Sequence, residues 1–183
     1  NAVDSIIVGK FIGKDALAAV GSTGSLNFLI IGFVLGMCSG FCIPVAQYFG
    51  EGDEARVRGC VANAVYLSAA ITVMLTAATM LGTRPLLELM QTPENIIDDA
   101  YAYIVVIFAG IFATVLYNLL AGILRALGDS RTPLYFLILS SVLNVGMDLL
   151  FILYFNAGVA GAAYATVIAQ LVSGVCCLVY MIK

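Results

Sequence analysis

The sequence contains no histidine and no tryptophan, and only 10% of its 183 residues are charged. Without histidine there is no imidazole general base, no His-based metal site and no His proton relay. Soluble domains carry about 25% charged and about 45–50% apolar residues. Here 62% are apolar and the mean hydropathy is +1.07, so a water-exposed globule of this length would lack the polar side chains to cover itself. The net charge of −3 argues against nucleic-acid binding, which needs a basic face. The five cysteines (38, 42, 60, 176 and 177) all fall inside apolar runs, which argues against a disulfide framework. Cys38 and Cys42 share a helix face, yet with no histidine and no second pair at a useful spacing they read as packing residues rather than metal ligands. No nucleophile–base constellation or phosphate-cradling motif is present, so an enzyme is the weakest reading.

What is abundant is apolar length. Runs cover about 1–12, 24–48, 59–82, 99–125, 132–155 and 159–182. All but the first can cross a hydrocarbon core of about 30 Å as a helix rising 1.5 Å per residue. None shows the alternation over about ten residues that marks a transmembrane β-strand. The expected fold is therefore all-α, a polytopic six-helix transmembrane bundle forming one domain over residues 1–183. The first run, Asn1 to about residue 12, has no charged leader before it and reads as the second half of a truncated spanning helix, making the chain a fragment. Connections are expected at Gly13-Lys-Asp, Gly50-Glu-Gly-Asp-Glu, Gln91-Thr-Pro-Glu-Asn, Gly128-Asp-Ser-Arg-Thr-Pro and Asn156-Ala-Gly. Pro133 suits a first helical turn, and Pro44 inside the second span predicts a kink or local unwinding. Gly32, Gly36 and Gly40 form a repeated GxxxG, and Gly158, Gly161, Ala162 and Ala165 crowd the sixth span; both patterns predict close helix packing. No internal repeat is evident.

Alternate connections carry different charge. One side receives Arg56, Arg58, Arg125, Arg131 and Lys183, the other Lys10, Lys14 and Arg84. The positive-inside rule makes the first set cytoplasmic, with both chain ends on that side. Tyr48, Tyr101, Tyr103, Tyr154 and Tyr180 lie near span ends and suit an interfacial belt. Glu94, Asp98 and Asp99 suit a solvated helix start favoured by the macrodipole.

Two acids break the pattern, because Asp4 and Asp148 lie inside apolar runs. Such an acid costs about 2.5–3.5 kcal/mol on insertion scales, so the pair costs roughly 5–7 kcal/mol, comparable with the stability of a whole domain. Asp4 lies about 13 Å below the outer end of its helix, counting nine residues to Gly13. Asp148 lies about 12 Å down, and Thr166, eight residues after Gly158, reaches the same level. Asn144 is one turn from Asp148 on the same face. If their helices are neighbours, these four residues make a hard-oxygen site suited to an alkali cation or a proton and unsuited to zinc or copper. Asn27, Gln47, Asn63, Tyr66, Asn118, Tyr117 and Gln170 either line a cavity or bond between helices.

The run Val3-Asp4-Ser5-Ile-Ile-Val-Gly9 followed by Ala16-Leu-Ala-Ala-Val-Gly21 resembles the first helix and loop of multidrug and toxic compound extrusion (MATE) transporters. So do Gln47-Tyr-Phe-Gly50-Glu-Gly-Asp53, Arg125-Ala-Leu-Gly-Asp-Ser-Arg-Thr-Pro133, Asn144-Val-Gly-Met-Asp148 and Gly158-Val-Ala-Gly-Ala-Ala163, in family order along the chain. The resemblance implies one lobe, the N-terminal one, of a twelve-helix transporter in which two six-helix lobes are related by a pseudo-two-fold axis. It implies antiport at the plasma (inner) membrane, with Na+ or H+ as coupling ion and organic, often cationic compounds as exported substrate. It also implies a cation site at Asp4, Asn144, Asp148 and Thr166, with the backbone carbonyl of Ala162 as a further ligand, and no cofactor. Expected partners are the substrate, the coupling cation, the lipid bilayer and the missing C-terminal lobe. Rival readings are a lipid-linked sugar or polysaccharide flippase of the wider superfamily, and a non-transporting membrane subunit.

Overall fold

The computed structural model describes residues 2–182; Asn1 and Lys183, assigned to the chain ends above, lie outside them. Among the described residues there is no strand. The helices are α1 (Ala2–Phe11), α2 (Lys14–Ser22), α3 (Gly24–Gly50), α4 (Glu54–Leu89), α5 (Ile97–Ala109), α6 (Ile111–Ala126), α7 (Arg131–Leu149) and α8 (Gly158–Ile182). A π-helical turn, Leu150–Tyr154, continues α7. The helices α3, α4, α8 and α7 with its π turn are each long and apolar enough to cross a membrane; α5 and α6 qualify together as a fifth span bent by 43°. The ten residues of α1 are too few to cross alone.

Local chemistry sets the helix ends. Asp53 caps α4, its carboxylate accepting from the Arg56 amide at 3.1 Å. One residue before the N-cap of α7, Asp129 accepts from the amides of Arg131 (3.1 Å) and Thr132 (3.0 Å) and so ties down the first turn. Asp98 and Asp99 occupy the first turn of α5, where the helix dipole favours them.

Three expectations are corrected. Residues after Gly13 were read as connection, but Lys14–Ser22 is a helix, because its Ala16 and Ala19 bury one face against neighbours that include α5. No unwinding occurs at Pro44, since α3 runs unbroken through it. A sharp bend of 43° falls at Gly110, where no proline stands. A Cβ on Gly110 would overlap the Val167 side chain, so this glycine allows the α5–α6 junction to lie directly on α8. Finally, Gly32, Gly36 and Gly40 are exposed and a Cβ on any of them would meet nothing within 4 Å, so they do not mediate close packing within this chain.

The interior is built around α6 and α8. Nearly every residue from Ile111 to Leu124 on α6 is buried, and α8 packs against α5, α6 and α7 through Gly161, Ala162, Ala165 and Ala169. Lipid tails are as apolar as leucine, so close van der Waals packing of small residues supplies the association here. At Gly161 a Cβ would stand 3.1 Å from the Cβ of Phe151. Cys42 packs into the notch at Gly122 and its thiol faces the Leu119 carbonyl at 3.9 Å, a packing role for the pair on α3.

Candidate cation-binding site

Three helices meet where the two intramembrane acids lie: α1, α7 and α8 are mutual neighbours. Asn144 Nδ2 donates to Thr166 Oγ1 at 3.1 Å, and the Thr166 hydroxyl donates to Asp4 Oδ2 at 3.2 Å. Asp4 is 2% exposed and Asp148 is fully buried. Asp148 lies beside the Asp4 carboxyl, and among the described residues no other group donates a hydrogen bond to either of its oxygens. A buried carboxylate normally collects two or three donors. One that faces a second acid and, among the described residues, no other donor is a place where a cation or a proton would be bound strongly.

The local backbone accounts for the arrangement. Asn144 and Asp148 are four residues apart and share a face of α7. Just past Asp148 the helix widens into the π turn, where the Phe155 amide reaches the Leu150 carbonyl at 3.2 Å. Such turns recur at functional sites, and this one leads to Asn156 (φ 51) and Gly158 (φ 58), which reverse the chain into α8. Nothing in the apolar pattern of residues 132–155 distinguishes it from ordinary helix. Ala162 is fully buried one turn before Thr166, but among the described residues no side-chain hydrogen bond reaches its carbonyl.

Tyr103 was expected in the interfacial belt and is not there. It is 3% exposed and lies within electrostatic reach of both Asp4 and Asp148. Ala100, Tyr103, Ile104, Ile107 and Phe108 form one buried face of α5. That helical spacing was the available signal. With Ser5 and Asn27, Tyr103 lines a cavity of about 300 Å³ beside the acids.

A larger cavity of about 370 Å³ opens between α3, α5, α6 and α8, lined by Asn27, Phe28, Gly32, Thr114, Thr166 and Gln170 among others, with no charged residue. The Thr114 hydroxyl donates to Gln170 Oε1. Thr166 therefore stands both in this cavity wall and in the hydrogen-bond chain to Asp4. Of the other polar residues read as ambiguous, Asn27 and Gln170 line cavities. Tyr117 bonds the Pro133 carbonyl at 3.1 Å, and Asn118 bonds its own helix at Thr114. Gln47, Asn63 and Tyr66 are exposed.

The whole chain resembles known proteins. The MatE family profile matches residues 1–150. The chain belongs to the MATE family. It is 34% identical to the probable multidrug resistance protein YpnP and 35% identical to the probable multidrug resistance protein YoeA, both of Bacillus subtilis (strain 168). Each alignment covers 99% of this chain but only 41% and 40% of those proteins. A crystal structure of MATE in the bent conformation superposes with a TM-score of 0.91 at 30% identity, over 98% of this chain and 40% of that one. The chain thus spans about 40% of the length of its MATE relatives and has the all-α, polytopic fold of one part of them. These relatives are membrane transporters rather than enzymes.

Proposed function

We propose that this chain is the N-terminal lobe of a MATE antiporter that exports organic cations across the plasma membrane in exchange for inward-moving Na+ or H+. The observation that carries the reading is Asp148: a fully buried carboxyl that faces Asp4 and has no other donor among the described residues. Two carboxylates, an amide and a hydroxyl form a hard-oxygen set that fits sodium or a proton. The cavity lining supports an organic substrate. Phe28, 83% exposed, offers an aromatic face to an organic cation, and neutral polar groups surround it. A sugar-phosphate flippase would need cationic groups, and none of the lining residues is Lys or Arg.

Coupling follows from charge. With the site vacant, two acids share a low-dielectric corner and repel one another. Binding of one cation offsets one of the two charges, removes most of that repulsion and lets α1 settle against α7 and α8. Thr166 passes the change to the cavity, because a shift in its bond to Asp4 moves a wall residue. A cation that binds the two states unequally then changes substrate affinity by the same free energy. In proteoliposomes holding the full-length protein, Asp4→Asn and Asp148→Asn are each expected to abolish cation-driven efflux while membrane insertion persists. Unimpaired efflux in both would falsify this reading. Sodium- or pH-dependent thermal stabilisation that disappears in Asp4→Asn would separate a transporter from a subunit in which the acids merely pack.

A further inference from the structure

Below the acids, toward the end of the bundle that carries Arg125 and Arg131, lies a second and smaller cavity. It holds about 140 Å³ and is lined by Leu137, Ser140, Ser141, Asn144, Thr166, Ala169 and Gln170. That is room for about four waters at 30 Å³ each. Asn144 and Thr166 belong to the site described above; Ser140 and Gln170 each lie four residues further along α7 and α8, about 6 Å nearer the basic end. One turn beyond, Ser173 Oγ donates to the Phe136 carbonyl at 3.1 Å. At the helix ends the Tyr180 hydroxyl donates to Asp129 Oδ2 at 3.3 Å. The α7–α8 seam thus presents oxygen atoms at successive turns from the acids to the loop after α6, through helices that are otherwise apolar. On the opposite side of the acids lies the cavity of Ser5, Asn27 and Tyr103. The two cavities flank the site from opposite ends.

We propose that the Ser140–Gln170 cavity is the vestibule through which the coupling cation leaves the site toward the basic, cytoplasmic side. This rests on the cation-coupled reading above. A cation leaving two carboxylates in a low-dielectric interior needs replacement oxygens within one helical turn, or it meets the desolvation cost in full. The Asn144 and Gln170 amides and the Ser140 hydroxyl supply them, with water filling the remaining volume. Gln170 also lines the central cavity and accepts from Thr114. With Thr166 it stands at the boundary shared by the vestibule and the substrate cavity, where the routes of the cation and the organic compound diverge in this proposal.

The test uses full-length protein in proteoliposomes, with two plugging variants, Ser140→Leu and Gln170→Leu, and two conservative ones, Ser140→Thr and Gln170→Asn. Cation-driven efflux in the Leu variants is expected to fall about tenfold or more, while equilibrium cation binding, read as cation-induced thermal stabilisation, stays within about twofold of the parent. The conservative variants should retain at least about half of the parent rate. Leu variants that transport at the parent rate overturn the vestibule while leaving the cation-coupled reading intact. Loss of cation binding in step with flux also overturns it, by showing that the residues hold the site. A parent protein with no cation dependence overturns both. Should a Leu variant fail to insert, Ser140→Val carries the same comparison with a smaller side chain.

Discussion

Two groups of buried polar side chains lie within this bundle, and they are satisfied in opposite ways. On α4, Ser68, Thr72, Thr79 and Thr83 form one buried face. Thr72 donates to the Ser68 carbonyl at 2.6 Å, Thr79 to Leu75 at 2.8 Å, and Thr83 to Thr79. Each threonine bonds within its own helix, so α4 enters the bilayer with those needs already met. Within this group the Ser68 hydroxyl lacks a partner among the described residues, and a lone neutral hydroxyl costs far less than a charge. At the α1–α7–α8 corner the bonds run between helices and, among the described residues, leave Asp148 with no donor besides the neighbouring acid. Polar residues that bond inside one helix report on folding. Polar residues that depend on other helices and still lack a partner report on a ligand.

The largest expected effect breaks that corner. Asp148→Asn should reduce cation-driven efflux about 100-fold or more, the equivalent of about 2.7 kcal/mol. It should also raise the thermal stability of the cation-free full-length protein by about 1–3 kcal/mol, because an unpaired buried charge is removed. Activity and stability moving in opposite directions is the signature of a site rather than a strut. A thermal melt without added cation, run beside the efflux assay, measures both, and a destabilised Asp148→Asn protein would contradict this account. Next in size is Thr166→Val, which keeps the shape and removes the bridge between Asn144 and Asp4. A hydrogen bond to a charged group contributes about 1.5–3 kcal/mol, so cation affinity from a thermal-shift titration should weaken about tenfold or more.

The acids were legible because a carboxylate inside an apolar run has no cheap explanation, and helix rise alone put Asp4, Asp148 and Thr166 at one depth. That α1, α7 and α8 touch was not legible, since depth carries no information about azimuth. Tyr103 was misread for a related reason. A tyrosine near a span end suits an interface equally well, and only the buried face it shares with Ala100, Ile104, Ile107 and Phe108 distinguishes the cases. The glycines of α3 failed in the same way, while Gly161 on α8 packs as expected: small residues permit close packing but do not require it. Gly32, Gly36 and Gly40 stay open, while Gly110, in no motif, makes the tight contact with Val167. In a bilayer an apolar or small face does not tell lipid from neighbour. The pattern therefore locates helices well and their pairing poorly.

On α4 the expectation is a modest effect on folding and none on coupling. Thr72→Val and Thr83→Val remove a self-contained bond and keep the branched shape, so each should cost less than about 1 kcal/mol in a thermal melt. Cation dependence of efflux should match the parent. A shifted cation dependence in either variant would show that α4 communicates with the acids and would erase the distinction drawn between the two groups.

The smallest effect concerns a third carboxylate that has the donors Asp148 lacks. Hydrogen bonds from Thr132, side chain and then amide, together with the Arg131 amide and the Tyr180 hydroxyl, hold the Asp129 carboxyl below its ordinary range. A carboxyl whose pKa is lowered by folding stabilises the folded state above its unfolded pKa of about 3.9, and that contribution fades as pH falls through the folded value. Asp129→Asn keeps one acceptor oxygen for capping α7 but loses the charge. Its melting temperature should lie slightly below that of the parent at pH 7, and the gap should close below about pH 4. Asp148→Asn should show the reverse sign, because among the described residues that buried carboxyl has no donor besides its neighbouring acid. If both substitutions shifted stability in the same direction at neutral pH, the number of donors around each acid would not be what separates a cap from a cation site.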